Sequence, residues 1–283
     1  MRLESCLQNA QPGPGMGLPV TPCLPSSGAP FRMQPPPPLT ALADVPAQLS
    51  TAGWAVLDAG TLARLCAAPL PAWLAWQTLW PALPPDPHLR DGGRYRKRRH
   101  GCFRVTATAV QAVAHRAHWQ PVEYNALHGG YERWFEPLPA ELLQDPAWAQ
   151  LLQGLAGVAD GLRADVGTPG EWFVEAHPFR IDTEGGIGRP TPEGAHRDGV
   201  DLVAVLIVDR HNVKGGETRV FDARGPQGVR FTLREPFSVL LLDDERVIHE
   251  TTPIQPVDAS QPAWRDTLVI TYRRGGFQGP GAV

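Results

Sequence analysis

The second half of the chain has the pattern of hydrophobic and polar positions that is typical of β-strands. Residues 200–208 (VDLVAVLIV) form an almost continuous apolar, β-branched run, and residues 237–242 form a second one, so both predict buried strands. Alternation of apolar and polar residues predicts further strands over 172–182, 217–221, 229–233, 247–251 and 265–272. From residue 200 onward, turn residues separate these segments and no helical pattern intervenes. The pattern therefore predicts a sandwich or barrel of short strands.

Helical periodicity is confined to the first part of the chain. Apolar residues recur on one stripe from Pro71 to Trp80, and Pro is favoured in the first turn of a helix. Asp145 offers an N-cap for a second helix, which carries Trp and Leu on one face as far as Leu162. We predict that both helices pack against the outside of the β-core and that their tryptophans are packing residues.

Composition divides the chain into two parts. Residues 1–38 contain ten Pro and four Gly and end in four consecutive prolines. Such a segment buries too little apolar surface to offset its chain entropy, which predicts a disordered tail. A PxxP ligand for a partner domain is the alternative interpretation of this segment. Residues 39–283 are predicted to form one domain.

Charge and cysteine content narrow the class of protein. The formal net charge of −3 and the pI near 6.3 argue against general nucleic-acid binding. The four cysteines form no CxxC pair, so neither a zinc site nor a disulfide framework is indicated, and we expect reduced thiols in the cytoplasm. No apolar run reaches transmembrane length, and the N-terminus lacks the apolar stretch of a secretory signal. We therefore expect no membrane partner, and the sequence specifies no oligomeric state.

The candidate chemistry is concentrated in His196-Arg197-Asp198 and His249. Two imidazoles and one carboxylate are the ligand set that holds non-haem Fe(II) on one face and leaves the opposite face open. Residues two apart project from the same side of an extended backbone, so His196 and Asp198 can share a strand or the turn after it. An HxD tripeptide alone is a weak signal, and the predicted strands around it strengthen it. We predict that His196, Asp198 and His249 bind a metal ion in a closed jelly roll.

The wider sequence resembles a known family. The pattern HRD…GGET-V-F…H…RDT resembles the double-stranded β-helix core of the Fe(II)- and 2-oxoglutarate-dependent oxygenases. Over about 45–275, further segments resemble the bacterial 2OG-Fe dioxygenase family, which includes hydroxylases of free aliphatic L-amino acids. These segments are 91–96, 124–125, 129–130, 133–135 and 241–244. This resemblance implies a mostly β (α+β) fold with a jelly-roll, cupin-like core at about 172–275 and flanking helices.

The resemblance also implies cofactors and a reaction. It implies that the HxD…H triad binds Fe(II), and that Arg265 and Thr267 bind the distal carboxylate of the co-substrate 2-oxoglutarate, with Arg273 and Arg274 as competitors for Arg265. With O₂ as the second co-substrate, the implied reaction is hydroxylation of a free aliphatic L-amino acid, with release of succinate and CO₂. Two alternatives stay open: a peptidyl or specialised-metabolite substrate, and a non-catalytic metal-binding jelly-roll module.

Arg94 to Arg99 form one strong run of basic residues. A solvated loop and a nucleic-acid patch are two interpretations of the run. Given the resemblance, we predict that Arg94 and Arg96 bind a substrate carboxylate, since residues two apart in an extended segment can face one way. No acidic residue near the triad is expected to be free for a substrate ammonium group. His177 is interpreted as a core histidine rather than a further metal ligand.

Overall fold

The structure, a computed structural model, describes residues 35–167 and 170–280. Its helices are α1 (Val45–Ala52), α2 (Ala59–Leu65), α3 (Leu70–Ala75), α4 (Ala140–Gln144) and α5 (Pro146–Leu162), with 3₁₀ turns at Leu42–Asp44, Trp76–Ala82 and Ala164–Val166. The early strands are β1 (Trp54–Leu57), β2 (Arg96–Arg98), β3 (Gly101–Val105), β4 (Val110–Ala112) and β5 (Trp172–Asp182). The later ones are β6 (Leu202–His211), β7 (Val213–Gly215), β8 (Thr218–Asp222), β9 (Gly228–Phe231), β10 (Val239–Asp243), β11 (Val247–Thr251), β12 (Ile254–Pro256) and β13 (Trp264–Arg273). Of the disordered tail predicted at 1–38, residues 1–34 lie outside the described part of the chain.

Antiparallel pairing arranges these strands in one large sheet and two small ones. The large sheet has the order β1-β10-β6-β13-β5-β3-β4, and β2 also pairs with β5. The small sheets are β11-β8-β9 and β12-β7. Strands that are distant in sequence are neighbours in this order, as in a jelly roll. The predicted mostly β fold with a jelly-roll core and flanking helices is therefore confirmed.

The two faces of the large sheet contact different layers. On β6, Ala204 and Leu206 belong to the core that includes the helices, whereas Val203 and Ile207 belong to a core shared with β8, β9 and β11. Successive side chains of a strand point to opposite faces, so a strand buried on both faces needs a continuous apolar run. This requirement explains the sequence VDLVAVLIV.

The predicted helices lie on the outer face of the sheet. The Asp145 carboxylate accepts a hydrogen bond from the backbone N–H of Ala147 at 2.9 Å and caps α5, as the sequence predicts. The helix predicted from Pro71 to Trp80 is shorter than expected. The α-helix α3 ends at Ala75, and a 3₁₀ turn that contains Pro81 follows it. The tryptophans of these helices are buried packing residues, as predicted: the ring of Trp76 contacts those of Trp73 and Trp148.

Two of the four cysteines, Cys66 and Cys102, lie in the described part of the chain, where both are buried free thiols. Within the same residues, no helix is both long enough and apolar enough to cross a membrane.

Candidate active site

The two histidines and the aspartate of the predicted triad meet in space. His196 and Asp198 lie in the loop before β6, and each backbone N–H of His196 and His249 donates to the other's carbonyl at 3.0 Å. The two Asp198 carboxylate oxygens lie 3.9 Å from Nε2 of His196 and 3.9 Å from Nε2 of His249. One ligand atom from each of the three side chains lies within 4.8 Å of the others, close enough for the three to bind one metal ion. The sequence therefore predicted the residues of a feasible metal site, although the HxD lies in a loop rather than on a strand.

The orientation of the His196 ring and the negative charge around it also suit a metal ion. Nδ1 of His196 lies 2.9 Å from the carbonyl oxygen of Gly194, so its N–H points away from Asp198 and the Nε2 lone pair points toward it. Burial opposes protonation of His196, but the charges of Asp198 and Glu193 outweigh it and raise the pKa of His196. Burial and the neighbouring His196 hold the pKa of His249 well below its usual range. A bound divalent cation would supply the positive charge that the half-buried Asp198 lacks.

Asp244 holds the loop that carries the metal-binding side chains. Its carboxylate accepts hydrogen bonds from the backbone N–H groups of Asp198 at 3.0 Å, Gly199 at 2.7 Å and Val200 at 3.1 Å. Gly199 adopts a φ of 76°, a conformation that an L side chain rarely adopts. Burial and the charge of Asp198 raise the pKa of Asp244 to about 7, despite these hydrogen bonds. Asp244 lies in a segment that carries the family resemblance, but no feature of the sequence indicates this role.

Arg265 and Thr267 lie on β13 and line the same cavity as the triad. Arg265 is 3% exposed, and the Nε–H of its guanidinium is buried with no hydrogen-bond partner among the described residues. Burial and the charge of Arg210 lower the pKa of Arg265 to about 9, so an anion there would be strongly favoured. The competitors already have partners, because Arg273 donates to the Gly276 carbonyl, and Arg274 pairs with two carboxylates.

The basic run is divided between the surface and the cavity. Arg94 is exposed and does not line the cavity, whereas Arg96 and Arg98 are buried and line it together. The expectation that Arg94 and Arg96 share a face is corrected, because regular strand structure begins only at Arg96. Arg96 donates to Asp86 at 2.7 Å, an ion pair that partly satisfies it. With two of its arginines buried, the run forms no continuous basic surface of the kind that nucleic acids contact.

A polar network that the sequence did not reveal extends from the triad. The Gln120 amide donates to Oδ1 of Asp198 at 3.0 Å, and its carbonyl oxygen accepts from Asn125 at 3.1 Å and from Arg133 at 2.8 Å. Asn125 and Arg133 lie in segments that carry the resemblance, which was the available signal. The network holds one carboxylate oxygen of Asp198, whereas Asp244 holds the backbone of the same residue.

Two further carboxylates line the cavity, and one of them, Glu193, has an unpartnered oxygen, contrary to the expectation that no acidic residue near the triad is free. The Glu193 side chain is 12% exposed, and its Oε1 lies 3.6 Å from Nε2 of His196. Its Oε2 is buried and has no hydrogen-bond partner among the described residues. Glu175, on β5, is the second of these carboxylates.

His177 is not part of the triad and belongs to a second buried cluster, with His100, His118 and Glu175. One ligand atom from each of these four side chains lies within 4.8 Å of the others. Nδ1 of His118 is 2.7 Å from Oε2 of Glu175, and Nε2 of His100 and of His177 lie 3.7 Å and 3.6 Å from that oxygen. By residue type alone, this cluster resembles a metal site as closely as the triad does.

Comparisons with known proteins agree with this geometry. A family model described as 2OG-Fe dioxygenase matches residues 77–271, so the chain belongs to the 2OG-Fe dioxygenase family, whose members use Fe(II), 2-oxoglutarate and O₂. A search of curated proteins gives no match. The crystal structure of a bsmA homolog from Methylobium petroleophilum PM1 is similar at 57% identity and a TM-score of 0.80, over 86% of this chain and 97% of that one.

Two more distant structures are similar in fold alone. IDO from Bacillus thuringiensis is 15% identical with a TM-score of 0.64, over 83% of this chain and 100% of that one. The Fe(II)/α-ketoglutarate-dependent dioxygenase TqaL is 21% identical with a TM-score of 0.62, over 82% of this chain and 88% of that one.

Proposed function

We propose that this dioxygenase hydroxylates a free, aliphatic L-amino acid and releases succinate and CO₂. The observation that carries the proposal is a surplus of buried guanidinium groups in the cavity. Arg265, Arg98 and Arg133 each have a buried Nε–H without a partner among the described residues. One co-substrate carboxylate on Arg265 would leave the other two arginines for a second anionic group.

His196, Asp198 and His249 would hold the Fe(II) ion. When bound with 2-oxoglutarate and O₂, Fe(II) supplies an oxidant that replaces an aliphatic C–H bond with C–OH, while 2-oxoglutarate becomes succinate and CO₂. The contribution of this chain is to orient the ligands: Gly194 sets the proton of His196, and Asp244 and Gln120 fix Asp198 from two sides.

Arg265 and Thr267 would bind the distal carboxylate of 2-oxoglutarate. Because Arg265 is buried without a counter-charge in contact, a carboxylate would satisfy its N–H groups and stabilise its charge. Val205 and Val269 line the same cavity and would keep water from the co-substrate chain.

The remaining wall suits a small substrate with an apolar side chain. Phe173, Phe179 and Val200 line the cavity. A carboxylate near Arg98 and Arg133 and an aliphatic group near these apolar side chains are the two ends of a free aliphatic amino acid.

A screen of free amino acids tests this function. The purified enzyme is supplied with Fe(II), ascorbate and 2-oxoglutarate, and succinate and hydroxylated products are measured with each amino acid. We expect an aliphatic L-amino acid to accelerate succinate release and to gain one oxygen atom per succinate formed. Turnover only with a peptide or a specialised metabolite would contradict the free-amino-acid assignment. Absence of succinate under every condition would point to a non-catalytic metal-binding module.

A further inference from the structure

The cavity contains an acceptor that no described residue satisfies. Glu193 lies three residues before His196, and its Oε1 is 3.6 Å from Nε2 of that histidine. Its other oxygen, Oε2, is buried and has no hydrogen-bond partner in the described part of the chain. A buried carboxylate oxygen without a donor is costly, so the site calls for a ligand that carries N–H groups and a positive charge.

Arg98 presents the complementary group. Its guanidinium lies 3.8 Å from the ring centroid of Phe135 and 4.4 Å from that of Phe179, and Nη2 contacts Nδ1 of His177 at 2.7 Å. Its Nε–H is buried and unpartnered among the described residues. Arg133, with one N–H on Gln120, also has a free Nε–H in this cavity. Two fixed guanidinium groups with free N–H donors are suited to a carboxylate.

The cluster behind Arg98 explains how this guanidinium is held. Arginine only donates, so Nδ1 of His177 must accept, and the proton of the neutral ring is then on Nε2, which faces Glu175. Nδ1 of His118 is within hydrogen-bond distance of the same carboxylate, so it too carries a proton toward Glu175. Burial opposes ionisation of Glu175, but its interactions with the three imidazoles, that with His118 the largest, outweigh it and hold its pKa well below its usual range. A metal ion could bind these nitrogens only by displacing their protons, and at His177 this would break the contact with Arg98.

We propose that Arg98, assisted by Arg133, binds the α-carboxylate of the substrate, that Glu193 binds its α-ammonium group, and that His177 and Glu175 position Arg98. This assignment rests on the proposed function and adds the residues that make the enzyme selective for α-amino acids. It also assigns the His100, His118, His177 and Glu175 cluster as a hydrogen-bonded support for Arg98 rather than a second metal site. Electrostatic repulsion supports the assignment, because a divalent ion bound in this cluster would lie beside the positive charge of Arg98.

Selectivity for the amino group tests Glu193. The wild-type enzyme is given its amino acid and the matching carboxylic acid that lacks the amino group, and kcat/KM is measured for both. A charge-assisted contact corresponds to a preference of about 10- to 150-fold for the amino acid. We expect Glu193→Gln and Glu193→Ala to reduce this preference to a few-fold. The ratio is independent of the fraction of enzyme that holds iron, which protects the test from an indirect effect on His196.

The control for Glu193 is Glu123→Gln, at an exposed position that does not line the cavity. It should keep the wild-type preference. An unchanged preference in both Glu193 variants would overturn the ammonium assignment while leaving the proposed function intact. If the amino acid itself supports no turnover in the wild-type enzyme, the proposed function fails instead, so the two failures are distinguishable.

The carboxylate assignment is tested with Arg98→Lys, which keeps the charge but loses the planar fork of donors. We expect the KM for the amino acid to rise at least about ten-fold, the effect of losing one charge-assisted hydrogen bond, with the KM for 2-oxoglutarate near wild type. Arg94→Lys is the matched control on the exposed part of the same run. Equal KM values in the two variants would overturn the assignment of Arg98.

The positioning role of His177 has its own test. His177→Leu removes the acceptor for Arg98, whereas His177→Gln keeps a carbonyl oxygen that can accept. We expect the leucine variant to raise the amino-acid KM several-fold at nearly constant kcat, and the glutamine variant to restore part of the loss. Metal content, measured by mass spectrometry, should stay at the wild-type value in both. Loss of a metal equivalent in either variant would overturn the proposal and identify the cluster as a metal site.

Discussion

Two clusters of histidine and carboxylate side chains line one cavity, yet they are suited to different tasks. In the triad, Nδ1–H of His196 donates to the Gly194 carbonyl, so its Nε2 lone pair points toward Asp198. In the second cluster, Arg98 and Glu175 leave the protons of His177 and His118 pointing inward. We therefore assign the same residue types to a metal site in one place and to a hydrogen-bonded support for Arg98 in the other. In each cluster, the hydrogen-bond partner of the ring nitrogen that faces away from the centre sets the tautomer of the histidine. The tautomer then determines whether the inner nitrogen offers a lone pair or a proton.

Burial has different consequences in the two clusters. The Gln120 amide holds the carboxylate of Asp198, and Asp244 holds its backbone. No arginine or lysine contacts Asp198 among the described residues, so a metal ion can supply its counter-charge. Glu175 is surrounded by imidazole N–H groups, with Arg98 beyond His177. A cation is therefore favoured at the triad and opposed at the second cluster.

The largest expected effect is that of Asp198→Ala, which removes the carboxylate of the triad. A two-histidine site loses both a ligand and the negative charge that offsets Fe(II), so we expect turnover to fall below detection and iron binding to weaken strongly. Succinate release and iron content of the purified variant measure the two effects. Succinate release near wild type would show that the triad does not hold the iron.

Arg265→Ala should have the next largest effect, on the co-substrate. The loss of one or two charge-assisted hydrogen bonds is expected to raise the KM for 2-oxoglutarate by about ten-fold to a few hundred-fold. The amino-acid KM should change much less. Arg273→Ala and Arg274→Ala are matched variants, and a larger effect in either of them would transfer the role from Arg265.

Asp244→Ala should weaken iron binding through the backbone. Three N–H groups of the loop at 198–200 lose their acceptor, and loss of such support around a metal ligand typically costs about 10- to 100-fold in affinity. Iron affinity is measured by competition with a chelator, and circular dichroism checks that the variant is folded. Wild-type affinity in a folded variant would show that the loop holds its geometry without Asp244.

Glu175→Gln should have the smallest effect and should separate the two clusters. The variant keeps the shape of the side chain and loses its charge, so His177 orients Arg98 less firmly. We expect a rise of a few-fold in the amino-acid KM, with iron affinity and the KM for 2-oxoglutarate near wild type. A drop in iron affinity as large as that of Asp244→Ala would mean that the two clusters are one functional unit.

The sequence could predict features that depend on local pattern. The strand β6 follows from an unbroken apolar run, and the start of α5 follows from Asp145 and Pro146, because periodicity and capping act over a few residues. The residues of the triad followed from ligand chemistry together with the family resemblance. Arg265 was indicated by the same resemblance, and its unpartnered burial supports that assignment.

Features that depend on long-range packing could not be predicted in this way. Whether Arg94 or Arg98 joins Arg96 in the cavity depends on where β2 begins, and one strand pairing decides this. Glu175 and His118 are 57 residues apart in the sequence, and no spacing rule joins them. Glu193 resembles an ordinary loop glutamate until its burial beside His196 is known.

Anomalous X-ray diffraction tests the contrast between the clusters most directly. Crystals grown anaerobically with Mn²⁺ in place of Fe(II), with data collected on both sides of the manganese absorption edge, would locate each bound ion. The expected result is one anomalous peak per chain, enclosed by His196, Asp198 and His249, and none beside Glu175. A second peak among His100, His118 and His177, or the absence of a peak at the triad, would contradict the assignment of one cluster to the metal ion and the other to substrate binding.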